Sequence, residues 1–179
     1  MQEVNNSDPL RQNYGETGKN NKKLAELMTD YNELVDQIFR FIYFKTNSKE
    51  IAEDLTQECF MSVIKYLKEN EVQNIRAFLF KSARNKVIDY YRQKGRVIYS
   101  DEMVTANEKA SGYEDVAMRQ DAKMVAEKLK LLGDEDRDIL VMRYLEDMDI
   151  GDIAKAVGKN QVAVRVQIFR ALKKMKKLI

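Results

Sequence analysis

Residues 149–179 read DIGDIAKAVGKNQVAVRVQIFRALKKMKKLI, and this stretch decides the fold. Asp149 can cap a short helix from Ile150 to Val157, with Asp152 near its positive end. Gly158 then supplies the left-handed stop, and Asn160 caps a second helix that runs to the C-terminus. Two helices joined by a short turn containing Gly are the DNA-reading helix-turn-helix unit. From Ile153 to Ile179 there are eight Lys or Arg and no Asp or Glu, a one-signed charge that suits a phosphate backbone. Two bundle helices that meet at a Gly, with a solvated basic face, are the bland alternative. The spacing and the charge together favour DNA.

Working outward, the chain of 179 residues is 44% hydrophobic, enough for one ordinary core or two small ones. Its formal net charge of +2 hides a segregation. Arg76 to Arg96 holds seven basic residues against Asp89 alone, whereas Asp101 to Asp121 holds six acids against Lys109 and Arg119. Two basic blocks therefore flank an acidic segment. The chain has no His and one Cys, which removes Cys/His metal clusters, Cys/His nucleophile pairs and an imidazole base. No catalytic residue, metal ligand or cofactor is assigned, and the protein is not expected to be an enzyme. Cys59 lies in a helical apolar pattern and reads as a small core residue. A lone Cys forms no internal disulfide, which suits the cytosol. The start MQEVNNSDPL is not a basic-then-apolar leader, and no run approaches a membrane span, so a cytoplasmic protein without a membrane partner is expected.

The pattern predicts an all-α chain of two small helical domains joined by a flexible acidic linker. Residues 1–25 read as a polar tail, 26–97 as the first domain, 98–117 as the linker and 118–179 as the helix-turn-helix domain. Leu34, Val35, Ile38, Phe39 and Ile42 form one apolar stripe. Asn47 with Glu50 resembles a capping box for a helix to about Glu69, its core face being Ile51, Leu55, Cys59, Val63 and Leu67 with Ile64 beside it. A loop over 68–74 leads to a third helix ending near Lys94, with Gly95 as its stop. Helices resume near Glu114, break at Gly133 and Asp134, and continue through Leu145.

Three helices present informative faces. On the Asn47 helix, Glu50, Asp54, Gln57, Glu58 and Met61 fall on one side, which by itself is an ordinary solvated face. On the next helix Leu79, Phe80, Ala83, Val87, Tyr90 and Tyr91 should be buried. At about 100° per residue, Phe78, Lys81, Asn85, Asp89 and Arg92 lie opposite. Cations beside an aromatic and an amide suit a strand backbone with stacked bases; peripheral core packing of Phe78 is the equal alternative. On the C-terminal helix Val164, Ile168, Ala171, Leu172 and Met175 form the core stripe. Val162, Ala163, Val166, Phe169, Arg170, Lys173 and Lys177 then face outward. Base edges are told apart chiefly by hydrogen bonds, and here Asn160, Gln161, Arg165 and Gln167 at the flanks are the candidates for them.

These residues carry a family resemblance. Asp54-Leu55-Thr56-Gln57-Glu58-Cys59-Phe60, then Arg76-Ala77-Phe78-Leu79-Phe80-Lys81-Ser82-Ala83-Arg84-Asn85 with Asp89-Tyr90, resemble the promoter-melting domain of extracytoplasmic-function sigma factors. Asp136-Arg137-Asp138-Ile139-Leu140 to Arg143-Tyr144-Leu145, then Ile153-Ala154, Val164-Arg165 and Arg170-Ala171, resemble their second helix-turn-helix domain. The resemblance implies a dissociable subunit of bacterial RNA polymerase that opens promoter DNA. Under it, Asp54, Gln57, Glu58 and Met61 dock on the clamp helices of core polymerase. Asn74, Arg76, Phe78, Lys81, Asn85, Asp89 and Arg92 read the minus-ten element, and the loop over 68–74 helps to capture a flipped base. Asn160, Gln161, Arg165, Gln167, Arg170 and Lys173 meet the minus-thirty-five element, and the linker threads the polymerase.

The recognition helix departs from the family pattern. Val162, Ala163, Val166 and Gln167 stand where small, hydroxylated and basic residues are usual. Val162, Ala163, Val166 and Phe169 therefore form a candidate partner patch, for an anti-sigma factor or a DNA-targeting partner, with DNA held mainly through phosphates. The patch reading thymine methyls, or a rotated helix with Phe169 buried, are the alternatives. A stand-alone helix-turn-helix regulator is the competing function; it predicts a dimer on an inverted repeat and leaves the melting motif unexplained.

Overall fold

Helix α1 (22–29) precedes α2 (Tyr31–Thr46), whose apolar stripe buries Leu34, Ile38, Phe41 and Ile42 while Val35 and Phe39 are half-buried. The computed structural model describes residues 22–98, 128–129 and 131–177. The expected tail as far as residue 21, the linker from residue 99 and the helical restart near Glu114 lie outside the described residues. Residues 22–25, expected in the tail, are helical.

Helix α2 stops at Asn47, which sits in the left-handed region at φ 52 and donates its N–H to the Tyr43 carbonyl. That corrects the expected capping box. The short amide of Asn tolerates the left-handed conformation that ends a helix, so Asn47 closes α2 and Ser48 opens α3 (Lys49–Glu69), its side chain accepting from the Ile51 N–H. Ala52, Leu55, Cys59, Phe60, Val63 and Leu67 are buried along α3. Burial pushes the Cys59 thiol up to about 11, so it stays protonated as a core residue.

Asn74 caps α4 (Ile75–Ile98), its Oδ1 accepting from the Ala77 N–H at 2.8 Å. The helix runs through Gly95, another correction: a helical Gly costs only about 1 kcal/mol, and no turn chemistry opposes continuation there. Leu79, Phe80, Ala83 and Val87 are buried as expected. The two tyrosines are not. Tyr90 is half-buried, and Tyr91 is exposed along its length while its hydroxyl donates to the Lys45 carbonyl at 2.9 Å.

In the C-terminal unit α5 (Asp134–Leu140) runs into a π-turn at Val141–Leu145, closed by the Glu146 N–H on the Val141 carbonyl. Then come α6 (Ile150–Val157) and α7 (Gln161–Lys177). Asp149 accepts from the Asp152 N–H at 2.8 Å, Gly158 takes φ 69, and Asn160 accepts from the Ala163 N–H at 2.8 Å. Every cap of the expected helix-turn-helix is in place. Val164, Ile168 and Ala171 are buried and Met175 packs on the core, but Leu172 is exposed. It lies at the edge of the stripe, past the reach of α5 and α6.

The described residues contain no strand, and none of their helices is long and apolar enough to cross a membrane. Helix α4 packs on α2 and α3 with one side and on α6 with another. The two units therefore touch, which the sequence reading did not anticipate.

Candidate nucleic-acid and protein interfaces

Because α3 buries its Leu55–Cys59–Val63 stripe, Asp54, Gln57, Glu58 and Met61 are all exposed on the far side. Met61, an unbranched apolar side chain, is 73% exposed. Glu58 accepts from Lys86 of α4 at 3.0 Å, an exposed pair of small net worth. The face is acidic with an apolar centre, suited to a cationic surface with a hydrophobic contact.

On α4, Lys81, Asn85 and Arg92 are exposed and Phe78 is half-buried. The Phe78 ring lies 4.9 Å from that of Tyr66, tilted by 34°, so it packs on one face and keeps part of its surface open. Tyr66, half-exposed near the end of α3, extends the aromatic platform. Sequence reasoning missed it; the signal was an aromatic on the outward side of α3 beside the loop. Asp89 is paired with Arg92 at 2.7 Å. Arg76 does not join this face. About 200° away from Phe78 by helical rotation, it donates to Gln37 Oε1 at 3.0 Å and to the Glu146 carbonyl. Asn74 is spent on its cap.

On α7, Val162 is 65% exposed, Phe169 68% and Val166 43%, so the rotated-helix alternative does not hold. Ala163 is half-buried beside them. Gln161, Arg165, Arg170 and Lys173 are exposed around the patch, as is Asn160 apart from its capping oxygen. Gln167 turns away, accepting from Lys159 at 2.8 Å and donating to Asp136 at 3.2 Å. Burial raises the Asp136 carboxyl, but hydrogen bonds from Lys174 and Gln167 outweigh it and leave it below the usual range. The Lys159 hydrogen bond likewise lowers Glu135. These carboxylates brace α7 against α5 and occupy Lys174 at 2.5 Å.

Between the units lies a set of charges that sequence reasoning also missed. Asp138, 1% exposed, accepts from Lys45 at 2.5 Å and from Arg84 at 3.1 Å. The Glu146 carboxylate accepts from Arg40 Nε at 3.1 Å and from its Nη2 at 2.7 Å, which raises the Arg40 guanidinium above its ordinary value despite its own desolvation. The available signal was an acid at the head of an apolar run, Asp138 directly before Ile139, Leu140, Val141 and Met142.

The sigma-70 region 2 model matches residues 31–97 and the sigma-70 region 4 model matches residues 123–175. The extracytoplasmic-function sigma factor BldN of Streptomyces coelicolor is 26% identical over 154 residues, 83% of this chain and 58% of that protein. This chain thus spans a little over half the length of that relative. SigM of Bacillus subtilis, of the same group, is 26% identical over 152 residues, 83% of this chain and 91% of SigM. A sigma factor RpoE solved in complex with the anti-sigma factor NepR, from Bartonella quintana, superposes with a TM-score of 0.72 at 20% identity, covering 88% of this chain and 96% of that one. That likeness concerns the fold. With both sigma-70 regions matched in order and relatives of one group, the chain belongs to the extracytoplasmic-function sigma factors of the sigma-70 family.

Proposed function

We infer that this chain binds core RNA polymerase, brings it to promoters as an alternative sigma subunit and opens the DNA there, acting as a subunit in the cytoplasm rather than as an enzyme. The observation that carries the reading is the order of three surfaces on one chain: the acidic α3 face, the aromatic and cationic α4 face, and the basic helix-turn-helix. Transcription in vitro with purified core polymerase on a supercoiled promoter library tests it. A polymerase that starts no transcripts in response to the added chain would overturn it.

The α4 face supports base capture. Lys81 and Arg92 would follow the strand backbone while a base stacks on Phe78 and Tyr66 and Asn85 reads its edge. Phe78→Ala and Asn85→Ala should leave polymerase binding intact and reduce open complexes, Phe78→Ala by about 1–3 kcal/mol. Permanganate footprinting measures this. Thymine reactivity equal to wild type in the Phe78→Ala complex would show that the ring serves packing with Tyr66 alone.

The α7 surface supports phosphate binding with weak minus-thirty-five preference. The N-terminal part of a recognition helix is the part that meets base edges, and here it presents Val162, Val166 and Phe169. Arg165, Arg170 and Lys173 hold phosphates, and the apolar patch takes a protein partner, either an anti-sigma factor or a factor that directs the holoenzyme to DNA. Solved structures of similar fold include the sigma factor RpoE in complex with the anti-sigma factor NepR and CnrH in complex with the cytosolic domain of CnrY. Randomising the minus-thirty-five region and sequencing the transcripts made by sigma and core alone should give a nearly flat profile. A sharp motif there would defeat this reading.

A further inference from the structure

Helices α3 and α4 pack together, and two contacts mark the outer seam between them. The Phe78 ring lies against that of Tyr66 at one point, and Lys86 Nζ lies 3.0 Å from Glu58 Oε2 at another. The ion pair joins the acidic face of α3 to the strand-facing side of α4. Seen down α4 at about 100° per residue, Lys81 and Arg92 stand about 60° and about 40° to one side of Phe78, and Lys86 stands about 80° to the other. A strand whose base stacks on Phe78 carries phosphates on both sides of that base. Toward the first side Lys81 and Arg92 are exposed. Toward the second α4 offers Lys86, and its charge is turned to Glu58.

Glu58 faces two ways. Its side chain is 58% exposed against 29% for Lys86, and it shares the α3 surface assigned above to polymerase with Asp54, Gln57 and Met61. A cation of the polymerase that meets Glu58 repels Lys86 and competes for the same carboxylate. An exposed pair contributes little net stability, so breaking it opposes neither step. The Lys stem is long and flexible and its head carries three rotatable donors, so the ammonium can swing from Glu58 to a phosphate while α4 stays in place.

Resting on the sigma-factor reading above, we propose that Lys86 is a phosphate contact for the melted strand, held by Glu58 in the free chain and released to the DNA once Glu58 engages polymerase. It complements Lys81 and Arg92 and sets the captured base between phosphates held on both sides. The exchange also links the two surfaces. Docking through α3 raises the strand affinity of α4, and by reciprocity the strand tightens docking by the same factor.

The test is the salt dependence of binding between the full chain with core polymerase and a forked promoter duplex whose minus-ten strand is unpaired. Each phosphate contact on a single strand contributes about 0.7 to the slope of log affinity against log salt. Lys86→Met keeps the stem and should reduce that slope by about 0.7, whereas Lys86→Arg should match the wild type. A purely structural role for Lys86 would change affinity and leave the slope alone. Lys86→Met should also compete for core at least as well as the wild type, because it leaves Glu58 unpaired. Without polymerase, Glu58→Gln should bind the single-stranded minus-ten oligonucleotide with a slope steeper than that of the wild-type chain by about 0.7. Glu58→Gln/Lys86→Met should lose that gain.

An unchanged slope for Lys86→Met with polymerase would overturn the phosphate contact, and so would weaker competition for core, which would place Lys86 in the docking surface. Equal binding of the oligonucleotide by free wild type and Glu58→Gln, including none by either, would overturn the exchange. A wild-type chain that starts no transcripts with core would instead sink the sigma-factor reading, while the slopes of the free chains judge the exchange separately.

Discussion

Phe80→Ala is expected to lower the unfolding free energy by about 3–5 kcal/mol, the usual cost of deleting a buried aromatic ring. Phe80 is fully buried on α4, and its ring meets that of Phe41 on α2 edge-on at 5.3 Å. Truncation removes that aromatic pair and leaves a cavity between two long helices that cannot collapse without losing their other contacts. Urea unfolding followed by circular dichroism measures the change. A loss below about 1 kcal/mol would mean that the site closes over the gap.

The second large effect concerns docking. Asp54→Lys/Glu58→Lys should weaken core-polymerase binding by about 2–5 kcal/mol if the carboxylates are desolvated in the complex. Glu58 gives up only its exposed pair with Lys86, so the folded chain loses little and the effect belongs to the interface. Competition against labelled wild-type protein for a fixed amount of core tests this, with unfolding as the control. Normal competition by the double variant would remove the acidic face from the docking surface.

Much of the fold was legible because capping and periodicity are local. Asp149, Gly158 and Asn160 sit where backbone chemistry requires them, and the helix-turn-helix followed. The errors were local too. Asn47 suited the end of one helix as well as the start of another, and Gly95 resembled a stop although nothing forces the chain to turn there. For the candidate site, a helical wheel placed Lys81, Asn85 and Phe78 together but not Arg76, which the family motif alone had added. What stayed hidden was non-local. Asp138, Glu146, Arg40, Lys45 and Arg84 look like surface charges one at a time, and their pairing follows only from one unit lying against the other. Tyr66 likewise gained its place beside Phe78 from the turn between two helices.

The π-turn at Val141–Leu145 has a consequence for how this chain tolerates changes in length. A π-turn closes its hydrogen bond one residue later than an α-turn, so it stores one surplus residue at the C-terminal end of this helix, just before the loop over 146–149. Removing exposed Tyr144 would leave an ordinary α-turn, with Glu146 still aimed at Arg40. The same deletion inside α5 would swing every later residue by about 100° and point the helix-turn-helix elsewhere. Insertions and deletions should therefore be absorbed at this one turn and rejected just before it, making Val141–Leu145 the place where the chain can gain or lose a residue without losing its aim.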